Sequence, residues 1–296
     1  MKKINHFLVY YYFFILAVLA LLGFIVFREL SQRDLRLIVF DIGQGDAILI
    51  RTPNHRNILI DGGPDNQVVY KLGQYLPFYD RTIDLMILTH PHSDHLVGLI
   101  EVLKRYQVKR VLATGVIYHS ADYLTWQELI RDKNIIFQVV AHPVELTLDA
   151  LASADTSSAD AVKLLFFSPG QSWFNRTAQN INSTSVVAKL VFGRFSALLT
   201  GDNESEEDLA ALNLDLSATV LKVGHHGSGN ANNPKFLAAV KPQLAVISYG
   251  QNSFGHPNLD VVNSLENLGA KVFLTKEQGD LILATDGQKI DNFSGK

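Results

Sequence analysis

The 296-residue chain contains no cysteine, and that one absence closes several routes. Disulfides, thiolate metal ligands, a cysteine nucleophile and the lipidated cysteine of a lipoprotein are all excluded. Any metal must therefore sit on histidine, aspartate or glutamate. Charge is also scarce, at 19% of residues with a formal net charge of −3. Nothing in that balance draws the whole chain to a polyanion, so a nucleic-acid substrate would need a local basic surface. What is plentiful is apolar material, 47% of the chain, enough to fill one large core or two modest ones and too much for a disordered chain.

Part of that apolar content is gathered in one run. "FLVYYYFFILAVLALLGFIVF", Phe7 to Phe27, carries no charge and at helical rise is long enough to cross a hydrocarbon core. No small-x-small cleavage site precedes "FREL", so the segment reads as an uncleaved anchor rather than a signal peptide. Lys2 and Lys3 before it are balanced by Arg28, Arg33 and Arg36 after it, so the positive-inside count does not choose an orientation. A lone amino-terminal anchor ahead of a large domain favours an inside amino terminus. The expectation is a single-pass protein of the cell membrane: an anchor over 1–30, with its transmembrane helix at about 7–27, and one extracytoplasmic domain over 31–296.

From Arg36 onward short apolar runs alternate with helical patterns, as in a layered α/β domain. "RLIVFD", "DAILIRT" and "NILIDGG" read as a meander, "DLMILTH" as a fully buried strand, and Asp94 to Tyr106 as a helix capped by Ser93. Later come the hairpin "SVVAKLVFGRFSALLTGD", a helix "EEDLAALN", the strand "ATVLKVGHHGS", a helix "NPKFLAAV" and the strand "PQLAVISYG". The stretch Leu148 to Val162 has neither period and reads as a surface loop. "GDLILATDGQKIDNF" reads as a hairpin about its Asp-Gly turn.

The two halves share an order. In each, an aspartate ends one strand (Asp61, Asp202) and a histidine cluster ends the next (His90 onward, His225 and His226). Two facing copies would bring these strand ends to one edge, where open sheets commonly build sites.

"THPHSDH" packs His90, His92, Asp94 and His95 into six positions. Imidazole with carboxylate suits a borderline divalent ion such as zinc or manganese. Two histidines spaced by two can converge on one ion, and Asp94 and His95 at a helix start point to a second. Asp202 would bridge the pair from the other half, and the "HHGS" loop would add the remaining imidazole. Two ions roughly 4 Å apart lower the pKa of a shared water and hold a leaving oxygen. The reading is a hydrolase.

"THPHSDH" is similar to the HxHxDH motif of the metallo-β-lactamase superfamily. With "VFDIGQGDAILI", "ILIDGG", "LLTGD", "LKVGHHGS" and "YGQNSFGHP" in order, the chain resembles the hydrolase-like domain of the ComEC-like DNA-internalisation competence proteins from about Leu37 to Asp286. The resemblance implies an αββα sandwich with a dinuclear site between its halves, DNA as substrate, and a DNA-uptake channel protein as partner. It places His90 and His92 on the first ion, Asp94 and His95 on the second, Asp202 between them, and His225 completing the second site with His226 beside it. Where the superfamily has a further histidine this chain has "NINSTSVV", making Asn182 a weak ligand or substrate contact. That departure favours exchangeable manganese over a tight zinc pair.

Around this set, Asp61 is expected to orient a ligand; Asp41, Gln44 and Asp46 to shape the floor; and His256 to bind a phosphate or protonate a leaving oxygen. Ser228 reads as a cap. Lys222, Lys189, Lys235 and Arg194 are candidate phosphate contacts, whereas His119 and His142 fall outside the motifs. The leading expectation is a membrane-tethered nuclease. Its rivals are hydrolysis of a small ester, lactone or lactam, and a non-catalytic DNA-binding module of an uptake complex.

Overall fold

The structure, a computed structural model, describes residues 6–30, 33–140, 144–149, 161–169, 173–205, 209 and 214–295. After helix α1 (His6–Leu30), the chain forms β1 (Leu35–Val39), β2 (Ile48–Arg51), β3 (Asn57–Ile60), α2 (Gln67–Tyr75), β4 (Thr82–Ile83), β5 (Leu85–Ile87), α3 (Ser93–Arg105), β6 (Gln107–Val108), β7 (Arg110–Ala113), α4 (Ala121–Asp132) and β8 (Ile136–Val139). The second half runs β9 (Val144–Asp149), β10 (Val162–Ser168), β11 (Val187–Phe192), β12 (Phe195–Leu199), β13 (Val220–Lys222), α5 (Pro234–Val240), β14 (Leu244–Ile247), α6 (Leu259–Asn267) and β15 (Lys271–Leu274). It closes with α7 (Thr275–Gln278), β16 (Leu281–Thr285) and β17 (Ile290–Gly295).

One sheet has the order β17-β16-β1-β2-β3-β5-β7-β8 and the other β15-β14-β13-β12-β11-β10-β9. Strand by strand the two match in order and direction. An antiparallel meander (β1-β2-β3, β10-β11-β12) passes into three parallel strands (β5-β7-β8, β13-β14-β15). The central strands β2, β3, β5, β13 and β14 are buried at every residue, because both faces of each sheet are covered.

Three apolar clusters correspond to the three interfaces of a four-layer sandwich. Leu37, Ile50, Ile60, Leu164, Leu190 and Leu199 meet between the sheets. Leu59, Met86, Leu96, Leu99 and Trp126 lie under the helices of the first half, and Leu198, Leu221, Phe236 and Leu265 under those of the second. Each such side chain contributes about 1.5–3 kcal/mol by leaving water. The αββα architecture is therefore the one expected.

Some local expectations change. Helix α3 takes His92, not Ser93, as its N-cap residue, and no side chain caps it. Its start is fixed by backbone contact: a Cβ on Gly98 would come 1.8 Å from the Gly62 carbonyl oxygen, and one on Gly62 2.4 Å from the Leu99 nitrogen. The glycines of "DGG" and α3 thus let β3 and the helix touch. Within the expected surface loop, Leu148 and Asp149 end β9 and Val162 begins β10, while 150–160 lie outside the described residues. Most of the expected helix over 206–213, and His142, also lie outside them.

Among residues whose side chains are described throughout, no helix is long and apolar enough to cross a membrane. Helix α1 is described in part, and Phe7, Tyr10, Phe14, Leu21 and Phe24 along it are exposed.

Candidate metal centre

The parallel strands of both halves end at the same edge, and the loops that leave them face one another. The turn after β5 carries Thr89, His90 and His92; the start of α3 carries Asp94 and His95. Opposite them, the turn after β12 carries Asp202 and the turn after β13 carries His225 and His226. His225, His226 and Gly227 all take left-handed backbone (φ 47, 52 and 79°). For the two histidines that conformation costs on the order of 1–3 kcal/mol each, and it swings their rings apart.

Asp94, His95, Asp202 and His226 each offer a ligand atom, all within 4.8 Å of one another. One oxygen, Asp202 Oδ2, lies 3.3 Å from His95 Nε2, 3.6 Å from His226 Nε2 and 3.8 Å from both His90 Nε2 and His225 Nε2. His226 Nε2 is 3.3 Å from Asp94 Oδ2. His90 Nε2 and His92 Nδ1 are 3.1 Å apart. Of the two histidines in "HHGS", His226 is the one that stands beside Asp94 and His95, because its Nδ1 bonds the Ser248 carbonyl at 2.9 Å and turns Nε2 inward.

Burial and charge shape this set together. Burial alone would raise the Asp202 carboxyl, but His95, His226 and His90 hold it well below the usual range. Asp94 is likewise kept low by His95 and His226 against the effect of burial. Burial would lower His95, yet Asp202, Asp61 and Asp94 push it well above an ordinary imidazole. His90 is pushed well below by burial. Ionised carboxylates thus lie against imidazoles whose protons a divalent cation would replace, the donor set such an ion needs.

A second observation agrees. His95 Nε2, His226 Nε2, Asp202 Oδ1 and Asn182 Oδ1 are buried at this seam without a hydrogen-bond partner. Each unsatisfied group costs about 1–3 kcal/mol. Their convergence fits one or two metal ions.

The supports come from both halves. Asp61, itself left-handed (φ 58°), accepts from the Thr89 N–H at 2.8 Å and its hydroxyl at 2.7 Å, and meets His95 Nδ1 at 2.7 Å. Asp46, 1% exposed, pairs at 2.8 Å with Lys222, also 1% exposed, and accepts the Ser248 hydroxyl at 2.7 Å. It lies 3.6 Å from His226 Nδ1. Lys222 is therefore an internal strut across the seam rather than a phosphate contact. Gly45 admits this approach, since a Cβ there would sit 2.2 Å from the Asp94 carbonyl oxygen.

Other expected residues fall at varying distances from the centre. Gln44 accepts from the Gly250 N–H at 3.2 Å, joining the halves. The Asp41 N–H bonds Asp280, and its carboxylate meets the Gly43 N–H, so it braces the loop and not the floor. The Ser228 hydroxyl accepts from the Asn230 N–H at 3.2 Å, whereas α5 is capped by Asn233. His256 is half-buried with Nδ1 unpartnered, its ring 5.2 Å from that of His225; burial lowers its pKa. Lys189 is tied to Asp215 at 2.9 Å, and Arg194 sits in the β11–β12 turn at the far end of the sheet. Lys235 is in the first turn of α5.

Glu204 was not foreseen. It meets His225 Nδ1 at 2.7 Å and accepts from Asn182 Nδ2 at 3.2 Å. In sequence it is one acid among several in "GDNESEED", and nothing there distinguishes it.

The chain belongs to the metallo-beta-lactamase superfamily, whose family profile matches residues 40–251. Its curated relatives include a competence protein. ComE operon protein 3 of Bacillus subtilis (strain 168) is 28% identical over 264 residues, covering 82% of this chain and 32% of the relative. Competence protein ComA of Neisseria gonorrhoeae is 30% identical over 275 residues, covering 90% and 35%. The chain thus spans about a third of the relatives' length. Among solved structures it is similar in fold to the metallo-beta-lactamase fold protein YhfI of Bacillus subtilis, with TM-score 0.53 and 13% identity over 85% of this chain and 100% of that one. It is similar to the same degree, TM-score 0.53 and 13% identity, to CmlA, a diiron beta-hydroxylase of Streptomyces venezuelae, over 86% and 55%.

Proposed function

We propose that this chain is a metal-dependent hydrolase that cleaves phosphodiester bonds in DNA and is held at a membrane by α1. The observation that carries the reading is the convergent set Asp94, His95, Asp202 and His226, the last three buried and each with an atom that lacks a hydrogen-bond partner, found in a chain whose relatives include a competence protein. His90 and His92 would hold one ion and Asp94, His95 and His226 another, with Asp202 facing both. When bound, such ions supply Lewis acidity and make a water acidic enough to lose its proton near neutrality. The protein's own part is to fix the donors: Asp61 orients His95, and the Ser248 carbonyl orients His226. The imidazole of His256, beside His225 with an unpartnered Nδ1, is the candidate for binding a phosphate or serving a leaving oxygen.

The charge-free run of α1 and its exposed aromatic side chains support a single-pass anchor, with the sandwich on the outer face of the cell membrane. Partnership with a DNA-uptake channel is proposed on the resemblance to competence proteins alone. Carboxylates alongside imidazoles suit manganese or zinc.

The test uses the full chain in detergent, stripped of metal and reloaded with manganese or zinc, against single- and double-stranded DNA. Metal-dependent cutting that disappears in Asp202→Ala supports the nuclease. A chain that binds ions and DNA but cuts nothing would be a binding module instead.

One observation favours a second reading, hydrolysis of a small ester, lactone or lactam. Lys222 and Lys189 are engaged by Asp46 and Asp215 and Arg194 lies in the turn at the far end of the sheet, while the rings of Tyr118 and Phe254 lie 5.9 and 5.7 Å from those of His92 and His256. Turnover of a small chromogenic ester faster than of DNA would select it.

A further inference from the structure

His90 and His92 bring two imidazoles to the first ion position, and the resemblance to the superfamily leaves Asn182 where a third ligand would stand. The structure assigns that role to His225, held by Glu204, so that the first ion position is rebuilt with a ligand from the opposite half. The inference rests on the metal-dependent reading above and deepens it.

The argument begins with the backbone of "HHG". Adjacent residues in a strand would send their side chains to opposite faces of the sheet; here three consecutive left-handed residues keep both imidazoles at the strand end. The ring centroids are 6.0 Å apart with planes at 67°. His226 turns toward Asp94 and His225 turns the other way. His225 Nε2 and His90 Nε2 stand at the same distance, 3.8 Å, from one oxygen, Asp202 Oδ2, and His90 Nε2 touches His92 Nδ1 at 3.1 Å. His90 and His225 thus both reach the Asp202 oxygen that His95 and His226 face, with His92 beside His90.

The far nitrogen of His225 decides its chemistry. Nδ1 lies 2.7 Å from Glu204 Oε1, a contact that places the N–H on Nδ1 and leaves the Nε2 lone pair facing Asp202. Asp61 does the same for His95, also at 2.7 Å. Each ion position therefore has one imidazole steered by a carboxylate, Asp61 in the first half and Glu204 in the second. Asn182 stands behind this pair, giving its Nδ2 hydrogen to Glu204 at 3.2 Å; it supports the carboxylate that holds His225.

The test measures ions per chain and their affinity in the full-length protein, with manganese or cobalt as probe, by elemental analysis after gel filtration. Exchange coupling between paired manganese ions provides a spectroscopic readout. Wild type should bind two ions. His225→Asn, chosen because asparagine tolerates left-handed backbone, should keep one. Glu204→Gln should weaken one ion by about 10–100-fold, and Asn182→Ala should still bind two. Should His225→Asn fail to fold, the Glu204 and Asn182 variants decide. Two ions at wild-type affinity in Glu204→Gln, or an ion lost in Asn182→Ala, would overturn the assignment. A wild type that takes only one ion would also overturn it, yet would leave metal-dependent hydrolysis intact if that protein cuts DNA. Two ions without cutting would retain the assignment and remove the nuclease.

Discussion

Asp61 and Asp202 occupy the same place in the two halves: each follows the third strand of a meander and lies beside a parallel strand that ends in histidine. Their surroundings make them different tools. Asp61 is saturated, with Thr89 donating twice and His95 on its remaining oxygen face, and burial pushes its pKa up. Asp202 has one oxygen with no hydrogen bond and another ringed by four histidines, and its pKa is held down despite burial. One topological position therefore yields an orienting carboxylate in one half and an ion-facing carboxylate in the other. The neighbouring threonine is what separates them.

The largest effect should come from removing the ion-facing member. Asp202→Asn keeps the shape but loses the charge that faces both ion positions, and hydrolysis should fall by on the order of 10³-fold or more. Added metal should not restore it. A saturating titration with manganese that recovers wild-type rate would show that Asp202 only tunes affinity, making the two carboxylates equivalent.

Next comes the strut that holds the halves in register. Lys222→Met would leave the Asp46 carboxylate buried without its cation, with Ser248 and the His226 ring as neighbours, and breaking a buried pair in this way costs about 3–5 kcal/mol. Chemical denaturation should report that loss, and the double variant Asp46→Asn with Lys222→Met should regain part of it. Equal stability of the single and double variants would mean the pair does not join the halves.

The comparison between the halves was itself legible in the sequence, because strand-end aspartates and histidine clusters recur in the same order, and the matching sheets follow from that order. Strands β9 and β10 were not. "VELTLD" and "VKLLFFS" border a polar stretch, and their pairing with each other and with β11 is a tertiary fact. The choice between His225 and His226 was equally hidden, since it depends on left-handed backbone and on which partner each Nδ1 finds. Lys222 misled for a related reason. A lysine next to a motif normally faces solvent, but in a parallel strand buried on both faces it had to find Asp46. The lone acid inside "GQGDAILI" was the available sign of that partner.

A smaller effect is expected from the orienting carboxylate. Asp61→Asn would keep the Thr89 contacts in part but lose the charge behind His95, lowering metal affinity by about 10–100-fold. Unlike Asp202→Asn, it should return close to wild-type turnover at high manganese. A defect that excess metal cannot repair would mean that Asp61 does more than hold a ring.

The smallest difference should appear in the pH dependence of stability without metal. Asp94 and Asp202 have lowered pKa values, so their contribution is complete above about pH 4, the unfolded carboxylate range, and is lost as pH falls through the lower folded values. Asp61, raised by burial, opposes them in part. His95 and His226 are raised by their carboxylate neighbours despite burial, so their contribution is complete below about pH 6.5 and disappears as pH rises through the folded values. The metal-free chain should therefore melt highest between these limits, with its midpoint falling by on the order of a few °C on the alkaline side. Metal takes the place of the imidazole protons, so loading should remove the alkaline decline while leaving the acid one. Parallel melting curves with and without manganese would measure this, and an alkaline decline of equal size in both would show that these histidines do not meet the ion.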